Sequence, residues 1–201
     1  MILGITGGSG SGKSTLLQVL ENHGFTVLDC DRIYHELLQT DAEMLSKIDE
    51  QFPGVICNGV LDRKKLGAIV FADPSALADL NRITHSAVKA QVMRRLPLPT
   101  FQGTDESVPY RHFAIDAIGL FEGGLAELCD CTVAVTAPLE QRVQRLMARD
   151  QISEEYARSR IAAQLADAAF SARCDYTLEN NGSKADFQSK CLAFLQELSI
   201  I

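Results

Sequence analysis

The chain has 201 residues, 46% of them hydrophobic, with a formal net charge of −7. That length suits one domain with an ordinary core and room for an inserted lobe, and the acidic balance argues against general nucleic-acid binding, which needs a basic surface. No apolar run approaches a membrane span and the chain enters at once into a strand-like segment, so no membrane partner and no secretion signal are expected, and the cytoplasm is the expected compartment.

The first element, "MILGIT", is short and apolar enough for a buried parallel strand. It runs into "GITGGSGSGKST" at 4–15, in which Gly7, four residues, then Gly12, Lys13 and Ser14 fit the pattern G-x-x-x-x-G-K-[ST]. "KSTLLQVLENHG" then reads as a helix with Leu16, Leu17 and Leu20 on one face and Gly24 as its stop. Further strands are expected at "FTVLD" (25–29), "FAIDAI" (113–118), "CTVAVT" (131–136) and "YTLE" (176–179), with helical patterns between them. This alternation implies a parallel sheet covered on both faces. The interval between the second and third strands is too long for one crossover helix. It holds helix starts at Asp62 and at Asp73-Pro74, so 32–111 reads as an inserted, mainly helical lobe, within which 97–110 is polar, holds three prolines and reads as a surface loop. The arginine-rich helical stretch 140–173 is a candidate lid, and "KADFQSKCLAFLQELS" closes the chain as an amphipathic helix. The six cysteines form no C-x-x-C and are read as reduced thiols rather than metal ligands.

The glycine-rich loop is the strongest chemical signal, because it joins a strand to a helix N-terminus. Backbone amides along Gly8, Gly10, Ser11, Gly12 and Thr15 can converge on phosphate oxygens, and the helix end adds partial positive charge. Lys13 is expected to reach the β- and γ-phosphates, and the Ser14 hydroxyl to ligate Mg²⁺. Kinases, switch GTPases and motor ATPases all carry such a loop, so it does not name a reaction. Asp29 and Asp31 follow the second strand and share a face if the strand runs that far; Asp31 could accept a proton, hold Mg²⁺, or cap the next helix. Arg142, Arg145 and Arg149 share one helical face by spacing. Arg145 and Arg149 are the two expected to close over donor phosphates, whereas Arg142, Arg158, Arg160 and Arg173 read as a solvated face. His85 lies on a helix of the inserted lobe, where packing, exposure and a site role are all open. "DAIG" at 116–119 matches a switch-GTPase spelling, but the chain lacks the N-K-x-D that reads guanine.

Taken together the motifs resemble the dephospho-coenzyme A kinase family over nearly the whole chain. "GITGGSGSGKST" is similar to the family's opening and "VLDCD" to its D-x-D signature. "LDRKKLGAIVFADPSALADLNRITHSAV", "GLFEGG", "RLMARDQISEEYARSRIAAQ" and "CDYTLENNG" are similar to its later segments. The resemblance implies ATP-dependent phosphorylation of the ribose 3′-hydroxyl of dephospho-coenzyme A, with Mg²⁺, by a monomer or weak homo-oligomer. It further implies a three-layer P-loop kinase fold, with five parallel strands in the order 2-3-1-4-5, a helical acceptor lobe and a mobile lid. It assigns Asp31 as catalytic base and Lys13 and Arg145 as catalytic cations. Arg149 goes to the nucleotide, and Asp29 and His85 to the acceptor side. Other P-loop small-molecule kinases and, further off, a nucleotide-dependent switch protein are the alternatives. Three positions depart from the family pattern: Ser86 and Gly119 stand where proline is usual, and Phe170 where a lysine or arginine is common.

Overall fold

The computed structural model describes residues 1–57, 59–96 and 112–201. In chain order these form β1 (Ile2–Thr6), α1 (Lys13–Asn22), β2 (Phe25–Asp29), α2 (Cys30–Thr40), α3 (Ala42–Gln51), β3 (Ile56–Cys57), β4 (Val60–Leu61), α4 (Arg63–Val70) and α5 (Pro74–Arg95). Then follow β5 (His112–Asp116), β6 (Cys131–Thr136), α6 (Leu139–Asp150), α7 (Glu154–Ala162), α8 (Asp167–Ser171), β7 (Tyr176–Glu179) and α9 (Lys184–Glu197). The expected surface loop 97–110 lies outside the described residues. No described helix is long and apolar enough to cross a membrane.

The chain divides into two compact units. The first comprises Met1–Leu28, 112–120 and Ala126–Ile201. Its sheet is five-stranded and parallel, in the order β2-β5-β1-β6-β7. Counting only these strands, that is the expected 2-3-1-4-5. In register, Ile5 lies beside Asp116, Thr6 beside Ala134 and Thr136 beside Glu179, so β1, β5, β6 and β7 end along one edge. Leu16, Val19 and Leu20 of α1 and Phe187, Cys191, Phe194 and Leu195 of α9 bury their apolar stripes with Leu3, Ile5, Ala114, Val133 and Val135 of the sheet. Helix α1 stops where the sequence predicts: Gly24, at φ 84, donates to Glu21 O, and the preceding His23 to Leu20 O. Helix α9 starts on a capping box in which Ser183 and Asp186 satisfy each other's amides.

The second unit comprises 29–96 and Phe121–Leu125. Its axis is α5, against which α2, α3 and α4 each pack. Four aspartates start these four helices: Asp29, Asp41, Asp62 and Asp73 each accept a backbone N–H from the first turn that follows. Pro74 takes the first position of α5, as expected. The helix then runs unbroken through Ser86, so the residue that departs from the family's proline lies inside regular helix. The β3–β4 hairpin, two residues a side, is not foreseen by the sequence reading; strands this short give no alternation to detect.

Two expectations test this packing. Leu16 is fully buried between α1 and the sheet, so Leu16→Ala should lower unfolding free energy by about 2–5 kcal/mol in chemical denaturation. His112 stacks on Phe25 with ring centroids 5.0 Å apart, and its Nδ1 is buried without a partner among the described residues. Burial, and secondarily the N-terminal ammonium, pushes its pKa below the ordinary histidine value. A group depressed in this way stabilises the fold above its unfolded pKa of about 6.5 and loses that contribution as pH falls toward the folded value. Stability should therefore decline on acidification from about pH 7 to about pH 5, and His112→Phe, which keeps the stack, should flatten that decline.

Candidate active site

The loop between β1 and α1 is held from behind by side chains of α6 and of the residue after β7. Arg142 Nε donates to Ser9 O at 2.9 Å. Arg145 donates to Gly10 O at 3.2 Å and Ser11 O at 3.3 Å. Asn180 Nδ2 donates to Ser11 O at 2.8 Å. Among the described residues all peptide bonds are trans, and in a trans peptide the C=O of one residue and the N–H of the next point opposite ways. Holding the Ser9 and Ser11 carbonyls on the protein side therefore turns the Gly10 and Gly12 amides to the other side. Those two amides and the first two of α1, on Lys13 and Ser14, have no hydrogen-bond partner among the described residues. No side chain caps α1.

Such a row of free amides at a helix N-terminus is an anion cradle. Two glycines show how tightly it is built. A Cβ on Gly12, whose φ is 109°, would lie 2.1 Å from Asn180 Nδ2, and one on Gly8 would lie 2.1 Å from the Arg142 guanidinium. Lys13 Nζ rests on Gly7 O at 2.8 Å. Ser14 is exposed and Thr15, whose N–H bonds Gly12 O at 2.9 Å, is half-buried. Ser11 Oγ is buried with no partner among the described residues, a polar atom left over inside the cradle wall. The donor set suits polyphosphate, and the Ser14 hydroxyl is a suitable oxygen for a hard cation.

The arginines of α6 and α7 divide into three environments. Arg142, read from sequence as part of a solvated face, is instead 4% exposed: it bonds Asp167 at 2.7 Å and Gln164 at 3.4 Å besides Ser9. Arg145 is half-buried and also meets Gln141 and Asn180. Arg149 is largely exposed and folds back bidentately on its neighbour Asp150, which also receives Arg160. The hydrogen bond from Arg149 leads the effects that hold the Asp150 carboxyl down at about 2. Arg158 pairs with Glu140 and Glu154 on the surface, as the solvated-face reading expects.

On the acceptor side, the strand ends at Asp29 and helix begins at Cys30, so strand alternation does not relate Asp29 to Asp31. It is Asp29 that caps α2, accepting Arg32 N–H at 3.0 Å. Asp31 sits in the first turn of α2, exposed, with no hydrogen bond or ion pair among the described residues. His85 is half-buried on α5. Phe170 is buried in α8.

Sequence reasoning missed Arg142, Gln164, Asp167 and Asn180. Asn180 carried a usable signal: it is the polar residue directly after a parallel strand, on the edge where ligands gather. A cavity of about 440 Å³ lies beside it, lined among others by Thr136, Pro138, Asp167, Thr177 and Asn181. Burial leads the upward push on the thiols of Cys129, to about 12, and Cys131, to about 11. No group of three or more His, Cys, Asp or Glu among the described residues could hold a metal.

Comparison with known proteins gives the chain a lineage. The family model for CoaE, dephospho-CoA kinase, matches residues 1–186. The dephospho-CoA kinase of Deinococcus radiodurans is 37% identical over 199 residues, covering 98% of this chain and 92% of that protein. That of Thermus thermophilus is 35% identical over 199 residues, covering 99% and 92%. The solved structure of dephospho-CoA kinase from Campylobacter jejuni superposes with a TM-score of 0.66 at 28% identity, covering 98% of this chain and 96% of that one. A shikimate kinase from Bacteroides thetaiotaomicron, at 13% identity and a TM-score of 0.59 over 99% and 98% of the two chains, shares the fold alone. The chain belongs to the dephospho-CoA kinase family.

Proposed function

We propose that the chain transfers the γ-phosphoryl group of ATP to the ribose 3′-hydroxyl of dephospho-coenzyme A, giving coenzyme A and ADP, the last step of coenzyme A biosynthesis. The family match over residues 1–186 carries this reading, and the anion cradle at the head of α1 supports it.

Phosphoryl transfer asks a protein mainly for positioning, charge neutralisation and exclusion of water. The amides of Gly10, Gly12, Lys13 and Ser14 hold the phosphate oxygens, with Gly8, Ser11 and Thr15 shaping the loop around them. Lys13 exchanges Gly7 O for a phosphate oxygen. The Ser14 hydroxyl would hold Mg²⁺, which when bound would supply neutralisation of phosphate charge. The cavity lined by Thr136, Pro138, Thr177, Asn180 and Asn181 takes the nucleoside end.

Asp31 accepts the proton of the 3′-hydroxyl as its oxygen bonds to the γ-phosphorus and the bond to the β-phosphate oxygen breaks. With no partner to leave among the described residues, its carboxylate is free for that work. Asp29, while capping α2, and His85 serve the acceptor. The lobe 32–111 presents the acceptor, and the lid 140–173 brings Arg145 and Arg149 to the donor phosphates. Arg149 gives up only an exposed pair with Asp150 to do so. A cytoplasmic monomer or weak homo-oligomer acting on a small molecule, with no nucleic-acid or membrane partner, fits this reading.

Asp31→Asn should lower kcat by roughly 10²–10⁴ in an ADP-release assay with dephospho-coenzyme A, while MgADP affinity, read by titration calorimetry, stays within about twofold. Near-normal turnover in that variant would move the base elsewhere. Among acceptors offered to the wild-type chain, dephospho-coenzyme A should exceed nucleosides and nucleoside monophosphates in kcat/KM by at least about 10⁴, because a site built to bond a particular polar group rejects analogues that lack it.

A further inference from the structure

Ser9, at the tip of the phosphate loop, is gripped on all of its polar groups. Its N–H donates to Gln164 Oε1 at 2.8 Å, its Oγ accepts from Gln164 Nε2 at 2.8 Å, and its carbonyl accepts from Arg142 Nε at 2.9 Å. The two gripping side chains are themselves joined: Arg142 donates to Gln164 Oε1 at 3.4 Å. Arg142 also pairs with Asp167 Oδ1 at 2.7 Å, and Asp167 Oδ2 takes the Ala137 N–H at 3.2 Å where β6 has just ended. The guanidinium is nearly sealed from solvent, its side chain 5% exposed. None of these atoms is among the donors assigned above to phosphate.

We infer that Arg142 and Gln164 are positioning residues of the nucleotide site, which set the direction of the Gly10 amide by clamping the peptide group that carries it. The carbonyl that Arg142 holds, on Ser9, and the amide that faces the cradle, on Gly10, belong to one planar unit. If the carbonyl is freed, that plane can rotate and the donor is lost without any change in the residue that bears it. Gln164 acts on the preceding plane, through the Ser9 N–H, and keeps the tip from turning as a whole. Arg142 is a buried charge, and a buried guanidinium is tolerated only when it is paired and hydrogen-bonded; here each of its three nitrogens has a partner, in the loop carbonyl, Asp167 and Gln164. The closeness of the clamp accounts for Gly8, where a side chain would collide with the guanidinium. This inference rests on the reading of the loop as a nucleotide site, but not on the identity of the acceptor.

The test compares the full chain with Gln164→Met, Gln164→Glu and Arg142→Met. Three quantities are read: MgADP affinity by calorimetry, KM for ATP and for dephospho-coenzyme A separately, and unfolding temperature without nucleotide. Gln164→Met removes no charge and nearly conserves volume. It should weaken MgADP binding and raise KM for ATP by about tenfold, leaving KM for dephospho-coenzyme A within about twofold and the unfolding temperature little changed. Gln164→Glu keeps the acceptor for the Ser9 N–H and for Arg142, and the Ser9 hydroxyl can turn to donate, so it should restore affinity to within about threefold of wild type. Arg142→Met should show the larger loss; because it strands Asp167, only protein that retains its cooperative unfolding is compared. Unchanged MgADP affinity in Gln164→Met would overturn the inference. So would losses that fall equally on both substrates and follow the unfolding temperature. If wild-type protein did not phosphorylate dephospho-coenzyme A, the proposed reaction would fail, while the MgADP titrations would still decide the clamp.

Discussion

A phosphate cradle made of backbone has to solve one problem before any other. Each amide it offers to the ligand belongs to a peptide group whose carbonyl must then face the protein, and a buried carbonyl without a donor costs about 1–3 kcal/mol. Here the donors come from Arg142, Arg145 and Asn180, which take the carbonyls of Ser9, Gly10 and Ser11. The glycines follow from that arrangement. Gly8 and Gly12 lie where the Arg142 guanidinium and the Asn180 amide approach too closely for any side chain. The loop composition that first draws attention in the sequence is thus a record of what stands behind the loop as well as of what it holds.

The same constraint divides α6 into two halves of different freedom. Toward the loop, Arg142 is buried and bonded to backbone and side chains together, and taking away one partner of such an arrangement typically costs 3–5 kcal/mol, roughly, because the other charge is left uncompensated. Toward solvent, Arg149 is held, among the described residues, only by Asp150, in an exposed pair of the kind worth about 0–1 kcal/mol. A firmly held guanidinium and a loosely held one therefore share a helix face. Helical spacing in sequence conceals this, because spacing reports a face and not what packs on it.

That distinction also marks how far the sequence could be read. The strands at 2–6, 25–29, 131–136 and 176–179 were legible because buried parallel strands are apolar runs. The caps at Asp62 and Asp73 were legible because capping is a local bond between a side chain and the backbone a few residues on. The loop was legible because its chemistry is spelled out in consecutive residues. Arg142, Gln164 and Asn180 were not, since each works on residues more than 120 positions away, and neither was Asp167, which acts on the loop only through Arg142. Asp29 shows the limit at short range: the run "VLDCD" alternates like a strand, yet the helix begins at Cys30 because the Asp29 carboxylate captures the Arg32 amide.

Phe170 brings these threads to one place. Where the family pattern has a cation, this chain has a phenyl ring that is 2% exposed. A lone reading of that position subtracts one positive charge from the lid. In the fold, however, Phe170 anchors a helix of only five residues, Asp167–Ser171, too short to hold itself together. Asp167 opens that helix, and its carboxylate must be held still to receive Arg142 and the Ala137 amide. Burying an aromatic side chain one turn further on supplies that fixity. The departure at 170 and the buried guanidinium at 142 are therefore parts of one arrangement, in which a positive charge stands beside the phosphate loop on α6 and serves the loop's own backbone.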